Sequence, residues 1–336
     1  MQRPTPEPVS SATDTADGRT AWVLTDGRSG NLRQAAALAG ALGFASARNW
    51  TLVPRAPWRW AAPRRLPLAH RAFGRGFAQA LAAPPRLAIG CGRQAALATR
   101  LLRERGVPVV QILDPRLDPA LWDLVVAPEH DGLAGDNVLT LLGSLHPVDD
   151  DWLAQARADF GALAQLPRPR IALLAGGPSP HADLDAAAFA ASLARVEAVC
   201  TAEGGSLLAT ASRRTPDGWK QALQAQRPTP PGICWLGGSG DAGANPYPGL
   251  LAWADRIVCT PDSVNMVSEA CATRAPVFVA DIERVHGRPR RFLDALLERG
   301  RVRPLDDTLA PFAVEPLRET ARIADEVRRR LQRLPT

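Results

Sequence analysis

The residues that invite chemical assignment sit in five polar or glycine-rich loops, each following an apolar run. Thr25-Asp26-Gly27-Arg28-Ser29-Gly30-Asn31 offers a carboxylate, Asp26, beside glycines that let backbone N–H groups approach an anion. It lacks the GK[ST] ending of a P-loop and is not a full GxGxxG. Pro128-Glu129-His130-Asp131-Gly132 sets His130 between two carboxylates, which can hold the ring in one tautomer as a general base. Gly176-Gly177-Pro178-Ser179-Pro180-His181 suits a diphosphate held by backbone amides. Ser212-Arg213-Arg214-Thr215-Pro216 places Arg213 and Arg214 beside hydroxyls, a set that suits phosphate oxygens. In the fifth loop, Thr260-Pro261-Asp262-Ser263 runs into Val264-Asn265-Met266-Val267-Ser268-Glu269-Ala270. There Ser263 suits an N-cap, the hydroxyls of Thr260 and Ser268 cluster with it, and Glu269 can accept hydrogen bonds from ribose hydroxyls. Four of the five loops also have an ordinary structural reading: a plain turn for the first, a self-satisfied loop for the second, arginines paired to carboxylates for the fourth and simple capping for the fifth.

The elements that must carry these loops read as alternating strands and helices. Strands are expected at Ala21–Thr25, Arg86–Ile89, Val107–Leu113, Leu124–Ala127 and Val138–Leu142, with helices over about Leu32–Leu42 and Arg93–Arg105. The pattern restarts with strands at Arg170–Ala175, Ser206–Ala211, Ile233–Leu236, Arg256–Thr260 and Pro276–Ala280. Helices are expected over about Leu184–Glu203, Leu250–Ala254 and Val264–Thr273, and a last one over about Pro316–Leu334. The fold expected is therefore α/β, with two Rossmann-like domains facing a cleft. Residues 20–148 form the first and 170–311 the second, with a connector over 149–169 and a final segment, 312–336, that packs back across both. Ligands of open α/β sheets bind outside the carboxyl ends of the strands, so the cleft is the expected site.

Hydrophobic residues make up 46% of the 336, enough for a large core, and no apolar run reaches the roughly 20 residues of a membrane span. Residues 1–19 are rich in Pro, Ser, Thr and Asp and read as a disordered tail rather than a secretory signal. The formal net charge of +6 rests almost wholly on arginine and favours anionic partners. No zinc-finger spacing or aromatic RNA-binding strand occurs, so nucleic acid is not expected among them. The five cysteines form no CxxC pair and read as reduced core residues of a cytoplasmic protein. Asp149/Asp151 and Asp183/Asp185 fit D-x-D, but one pair lies in the connector and the other beside a helix start, so no metal is expected. Residues 54–77 hold six arginines, no acidic residue, and Trp58, Trp60, Phe73 and Phe77. That mixture suits either an anionic membrane surface, reached from the cytoplasm at its inner face, or a solvated basic face over a buried aromatic edge.

Taken together, Trp22-Val23-Leu24-Thr25-Asp26-Gly27, Pro128-Glu129-His130-Asp131, Ser212-Arg213-Arg214-Thr215-Pro216, Asn245-Pro246-Tyr247 and Thr260 through Ala270 resemble the "elongated mitochondria" mitochondrial-fission family, from about Trp22 to Gly300. The resemblance implies a GT-B-like fold. In plants it implies a factor that recruits a dynamin-related protein to the mitochondrial outer membrane. Some bacterial relatives carry the label nucleoside-diphosphate-sugar epimerase, and the Arg-rich, Lys-poor composition points to a bacterial member. Where the family pattern has Gly before the last strand's Pro, this chain has Arg274-Ala275. Gly176-Gly177-Pro178-Ser179, Ser268-Glu269-Ala270 and Pro276-Val277 are also similar to GT-B glycosyltransferases such as the lipid-II-forming N-acetylglucosaminyltransferase. That similarity implies Gly177, Ser179 and Glu269 as donor contacts. The expectation is a glycosyltransferase using a nucleotide-sugar donor and no further cofactor. Asp26 or His130 would be its base, and Gly177, Ser179, Arg213, Arg214, Thr260, Ser263, Ser268 and Glu269 would lie around the nucleotide. A lipid-linked or membrane-surface acceptor fits this expectation. The alternatives are an epimerase on the same architecture and a non-catalytic adaptor.

Overall fold

The computed structural model describes residues 20–225, 230–237 and 243–333; the tail expected at 1–19 and the last three residues lie outside the described residues. The first sheet contains β1 (Ala21–Thr25), β2 (Arg48–Thr51), β3 (Leu87–Cys91), β4 (Val109–Ile112), β5 (Leu124–Pro128) and β6 (Val138–Leu141). All its pairings are parallel, in the order β2-β1-β3-β4-β5-β6. Its described helices are α1 (Ser29–Ala41), α2 (Trp58–Ala61), α3 (Gly74–Ala80) and α4 (Arg93–Arg103). The strands β1, β3, β4 and β5 are buried along their whole length, as apolar strands covered on both faces must be. The strand β2, Arg-Asn-Trp-Thr, was not expected; it is a mostly exposed edge, so it carries no apolar run to betray it.

After α5 (Asp150–Asp159), the second sheet contains β7 (Arg170–Ala175), β8 (Ser206–Ala211), β9 (Gly232–Trp235), β10 (Arg256–Cys259), β11 (Val277–Val279) and β12 (Val302–Pro304). It too is parallel, in the order β12-β11-β10-β7-β8-β9. Its helices are α6 (Ala186–Ala202), α7 (Asp217–Ala225), α8 (Tyr247–Trp253), α9 (Val264–Cys271) and α10 (Gly287–Glu298). In chain order this is the 3-2-1-4-5-6 arrangement of a doubly wound sheet, whose switch point lies between β7 and β10. The first sheet switches between β1 and β3.

The connecting helix α5 buries Leu153 and Ala156 in the second half's core, against Leu250, Leu251 and Val267. The last helix, α11 (Thr320–Leu331), buries Ile323, Ala324 and Val327 in the core of the first half, with Val23, Ile89 and Val126. The chain thus returns to its first sheet after completing the second. The helix begins four residues later than the expected Pro316.

One aspartate of each D-x-D pair caps a helix. Asp149 caps α5 by accepting from the Trp152 amide at 2.7 Å, and Asp185 caps α6 by accepting from the Ala188 amide at 2.7 Å. Four of the five cysteines, Cys91, Cys200, Cys259 and Cys271, are buried. No described helix is long and apolar enough to cross a membrane.

Candidate functional site

The carboxyl ends of both sheets face one cavity of about 770 Å³. The first half lines it with Asp26, Arg28, Asn31 and Gln34 after β1, Arg93 and Gln94 after β3, Asp114 and Arg116 after β4, His130 and Asp131 after β5, and Gly143 and Ser144 after β6. The second half contributes Arg214, Asp262, Ser263, Val264, Asn265 and Arg288. Both topological switch points therefore open on the same space.

Three helices start at this cavity: α1 after Arg28, α4 after Gly92 and α9 after Ser263. The first-turn N–H groups of a helix have no partner inside it, and its N-terminus carries a partial positive charge. The arginines around the cavity are largely neutralised by its own aspartates. Arg28 pairs with Asp26 at 3.4 Å, Arg116 with Asp114 at 3.2 Å, and Arg214 with Asp262 at 2.9 Å. Arg288 reaches Asp131 at 3.0 Å and Asp114 at 3.5 Å. Arg93 instead donates to the Ala62 and Arg59 carbonyls at 3.2 and 3.3 Å. Its charge meets no carboxylate among the described residues.

His130 lies in a short 3₁₀ turn, Glu129–Asp131, and its Nδ1 is buried with no hydrogen-bond partner. Burial against Phe292, whose ring centroid is 5.6 Å away, lowers its pKa below the ordinary value; Asp131 opposes that shift and Arg288 and Arg291 add to it. Burial thus favours the uncharged form of the ring. Asp26 is committed locally: its Oδ1 accepts from Asn31 Nδ2 at 2.9 Å and from the Arg28 amide at 3.1 Å.

On the other wall, Asp262 is a hub. Its side chain is fully buried and accepts from the Gly177 amide at 2.9 Å, Thr260 Oγ1 at 2.7 Å and Arg214 Nη2 at 2.9 Å. Thr260 Oγ1 also accepts from the Gly176 amide at 2.7 Å. The carboxylate thus ties together the two loops of the β7/β10 switch point. Ser263 caps α9, accepting from the Met266 amide at 3.4 Å.

Of the ten residues singled out from sequence, Asp26, His130, Arg214 and Ser263 line the cavity. Gly177 and Thr260 stand behind it, held by Asp262. Ser179 accepts from the His181 amide at 3.2 Å, and Arg213 is exposed. Ser268 and Glu269 instead join the two halves. Ser268 Oγ accepts from the Ser144 amide at 3.1 Å. Glu269 is 3% exposed; it pairs with Arg33 of α1 at 3.0 Å and accepts from the Tyr247 hydroxyl at 2.5 Å. Burial raises its pKa, and Arg33 and Tyr247 only partly offset that.

Two glycines permit this close contact. A Cβ on Gly30 would fall 2.2 Å from Asn265 Nδ2, and one on Gly143, at φ +97°, would fall 2.4 Å from Ser268 Oγ. Sequence reasoning missed Arg93, Asp114, Arg116, Asn265 and Arg288 as cavity residues. Two of them carried a signal: Arg93 stands after Gly92 at a strand end and opens a helix, and Asn265 lies in the fifth loop motif.

Two doubly wound halves facing a polar cleft, with the last helix packed back on the first, define an α/β protein of the GT-B-like class. The family model described as Mitochondrial fission ELM1 matches residues 29–331, and the chain belongs to that family. The mitochondrial fission protein ELM1 of Arabidopsis thaliana is 32% identical over 282 residues, covering 74% of this chain. The chain spans 64% of that relative's length. Among solved structures, UDP-N-acetylglucosamine 2-epimerase from Rickettsia bellii has a TM-score of 0.53 at 12% identity, over 94% of this chain and 96% of that one. A putative UDP-N-acetylglucosamine 2-epimerase from Listeria monocytogenes has a TM-score of 0.50 at 10% identity, over 95% and 98%. At such identities the likeness is one of fold.

Proposed function

We propose that this protein is a bacterial, cytoplasmic GT-B-type glycosyltransferase that takes a nucleotide-sugar as donor. The observation that carries the reading is the convergence of three helix N-termini on one cavity that His130 also lines. Oriented amides suit a diphosphate without a metal ion. The first-turn amides of α9 at Val264 and Asn265 take the diphosphate, and Arg214 exchanges Asp262 for a phosphate oxygen as it binds. Ser263 and Asn265, already on the wall, take the nucleoside contacts. Glu269 would have to surrender Tyr247 or Arg33 to reach a ribose.

In the transfer step the acceptor oxygen forms a bond to the anomeric carbon as the bond from that carbon to the diphosphate oxygen breaks. The acceptor hydroxyl proton passes to His130, and the leaving diphosphate keeps the bonding pair against the amides and Arg214. Asp26, fixed by Asn31 and Arg28, positions the β1 loop. A lipid-borne acceptor would approach from the Arg93 side.

Calorimetric titration against a panel of nucleotide-sugars tests the reading. At least one member binds, and Arg214→Ala weakens it. Substitution of His130 by Gln leaves the donor Kd unchanged and lowers kcat by about 10²–10⁴-fold. Conversion of the sugar with no acceptor present would assign an epimerase instead. Absence of binding to every member by the folded protein would leave the adaptor.

A further inference from the structure

Five of the six arginines in segment 53–77 meet no carboxylate among the described residues. Trp58 donates Nε1–H to the Pro67 carbonyl at 3.1 Å, and the Arg55 amide donates to the Ala72 carbonyl at 2.9 Å. These bonds draw α2, the turn at Pro67–Arg71 and the start of α3 into one small subregion beside β2. Its inner side is aromatic and sealed. Phe77 is buried, packing with Phe73, Trp50 and Trp22 at centroid distances of 5.1, 5.3 and 6.1 Å.

The outer side is different. Val53, Trp60 and Leu68 are 76%, 66% and 55% exposed, and all three belong to this one segment. Arg55, Arg59, Arg64, Arg65, Arg71 and Arg75 of the same segment are exposed as well. Arg65 meets a carboxylate, Glu104, at 2.6 Å; the other five pair with none among the described residues. Arg59 lies 5.3 Å from the Trp60 ring centroid, an arrangement that keeps a cation beside an apolar face rather than withdrawing it. Elsewhere the pattern is opposite: the cleft arginines and those of α11 are mostly held by neighbouring carboxylates.

We infer that this face docks on an anionic lipid bilayer, with Trp60, Leu68 and Val53 entering the interface and the arginines meeting lipid phosphates. Exposed bulky apolar side chains and mostly unpaired arginines in one segment match the two components of such a surface, acyl chains and anionic headgroups. A nucleic-acid backbone would use the arginines and leave Val53 and Leu68 in water. The face is physically joined to the cleft, because Arg93 on the cavity wall donates to the Ala62 and Arg59 carbonyls. Docking therefore brings the cleft mouth toward the bilayer, where a lipid-borne acceptor resides. The surface deepens the transferase reading and rests on it only in that last respect, since flotation and donor titration fail independently.

The test is flotation of the full chain with vesicles of equal parts phosphatidylglycerol and phosphatidylcholine, and with phosphatidylcholine alone. The protein co-floats with the anionic vesicles at low salt and is released at high salt, as screening of exposed charges requires. Arg64→Gln and Arg71→Gln each lower the partition coefficient about fivefold. The double variant Trp60→Ser with Leu68→Ser lowers it as well, while leaving binding to heparin unchanged. These side chains are exposed, so the variants keep the wild-type thermal transition, which is measured alongside. No co-flotation at low salt overturns the inference. So does co-flotation that survives both sets of substitutions. Loss with the arginine variants alone, together with equal binding to heparin, would make the face a general polyanion surface and overturn it too.

Discussion

The junction where the chain returns to its first half contains a histidine whose protonation should loosen it. His146 follows β6 and is 4% exposed. Its backbone N–H donates to Thr320 Oγ1 at 3.1 Å, and the Thr320 hydroxyl donates to its carbonyl at 2.8 Å, fixing the start of α11. The ring Nδ1 is buried and unpartnered. Burial, with Arg33 and Arg318 nearby, lowers the imidazole pKa from 6.5 to about 4; a hydrogen bond to the Leu317 backbone and the charge of Asp149 offset only part of this. The unfolded chain takes up a proton near 6.5 that the folded chain refuses until about 4. Stability from this group is therefore present above the unfolded value and is lost as pH falls toward the folded one. A span of about 2.5 pH units at 1.36 kcal/mol each gives a loss of roughly 3 kcal/mol. Substitution of His146 by Leu removes the titrating ring at a cost of about 1 kcal/mol at neutral pH for the lost hydrogen bond. Urea unfolding of both proteins from pH 8 to pH 4 measures the difference. His130, shifted in the same direction, remains in both and cancels. The wild-type curve should fall more steeply in acid, closing and then reversing the neutral-pH gap. Parallel curves with a constant offset would refute the reasoning.

Two other substitutions probe the walls of the site. Tyr247→Phe removes the hydroxyl that donates to the buried Glu269 carboxylate and should cost about 1.5–3 kcal/mol in denaturant unfolding at neutral pH. Because burial raises the Glu269 pKa, its favourable contribution is present below the ordinary Glu value and fades as pH rises through the raised one. The cost of losing the tyrosine hydroxyl should therefore grow with pH, and a cost that shrinks would contradict the assigned partners. Asp262→Ala leaves the Gly177 amide without its acceptor and should lower stability by about 2–4 kcal/mol while speeding exchange of that amide. Wild-type protection at Gly177 would mean the loop is ordered by something else.

How far the sequence revealed this arrangement depended on whether burial left an apolar signature. The strands β1, β7 and β8 match the expected Ala21–Thr25, Arg170–Ala175 and Ser206–Ala211, because buried parallel strands are continuous apolar runs between polar loops. The edge strand β2 and the three-residue β12, whose last two residues are exposed, have no such run. The helix α10 was hidden for another reason: Gly287-Arg288-Pro289-Arg290-Arg291 reads as a basic loop, and only Phe292, Leu293 and Leu296 face inward. Its loss from the reading hid Arg288, which bridges Asp114 and Asp131 across the cleft.

Among the residues that line the cavity, Asp26, His130, Arg214 and Ser263 were picked out because polar or glycine-rich loops mark them, whereas Asp114 and Arg116, also past a strand end, were not. Their individual tasks were not legible. Whether the polar groups of Ser263 to Glu269 face the cavity or the other half depends on the helical phase of α9 against α1. That phase places Ser263 and Asn265 on the cavity wall, while Ser268 and Glu269 meet Ser144 and Arg33. Composition alone also did not show which aromatic residues of the basic segment are inside; Phe77 is buried and Trp60 is exposed.

The central claim is that the cleft holds a nucleotide-sugar by its diphosphate. A crystal structure of the protein with the tightest-binding member of the nucleotide-sugar panel tests it most directly. The account predicts diphosphate oxygens within hydrogen-bond distance of the Val264 and Asn265 amides, Arg214 turned from Asp262 toward them, and the anomeric carbon facing His130. A saturating ligand seated elsewhere, with the cavity unchanged and Arg214 still on Asp262, would contradict it.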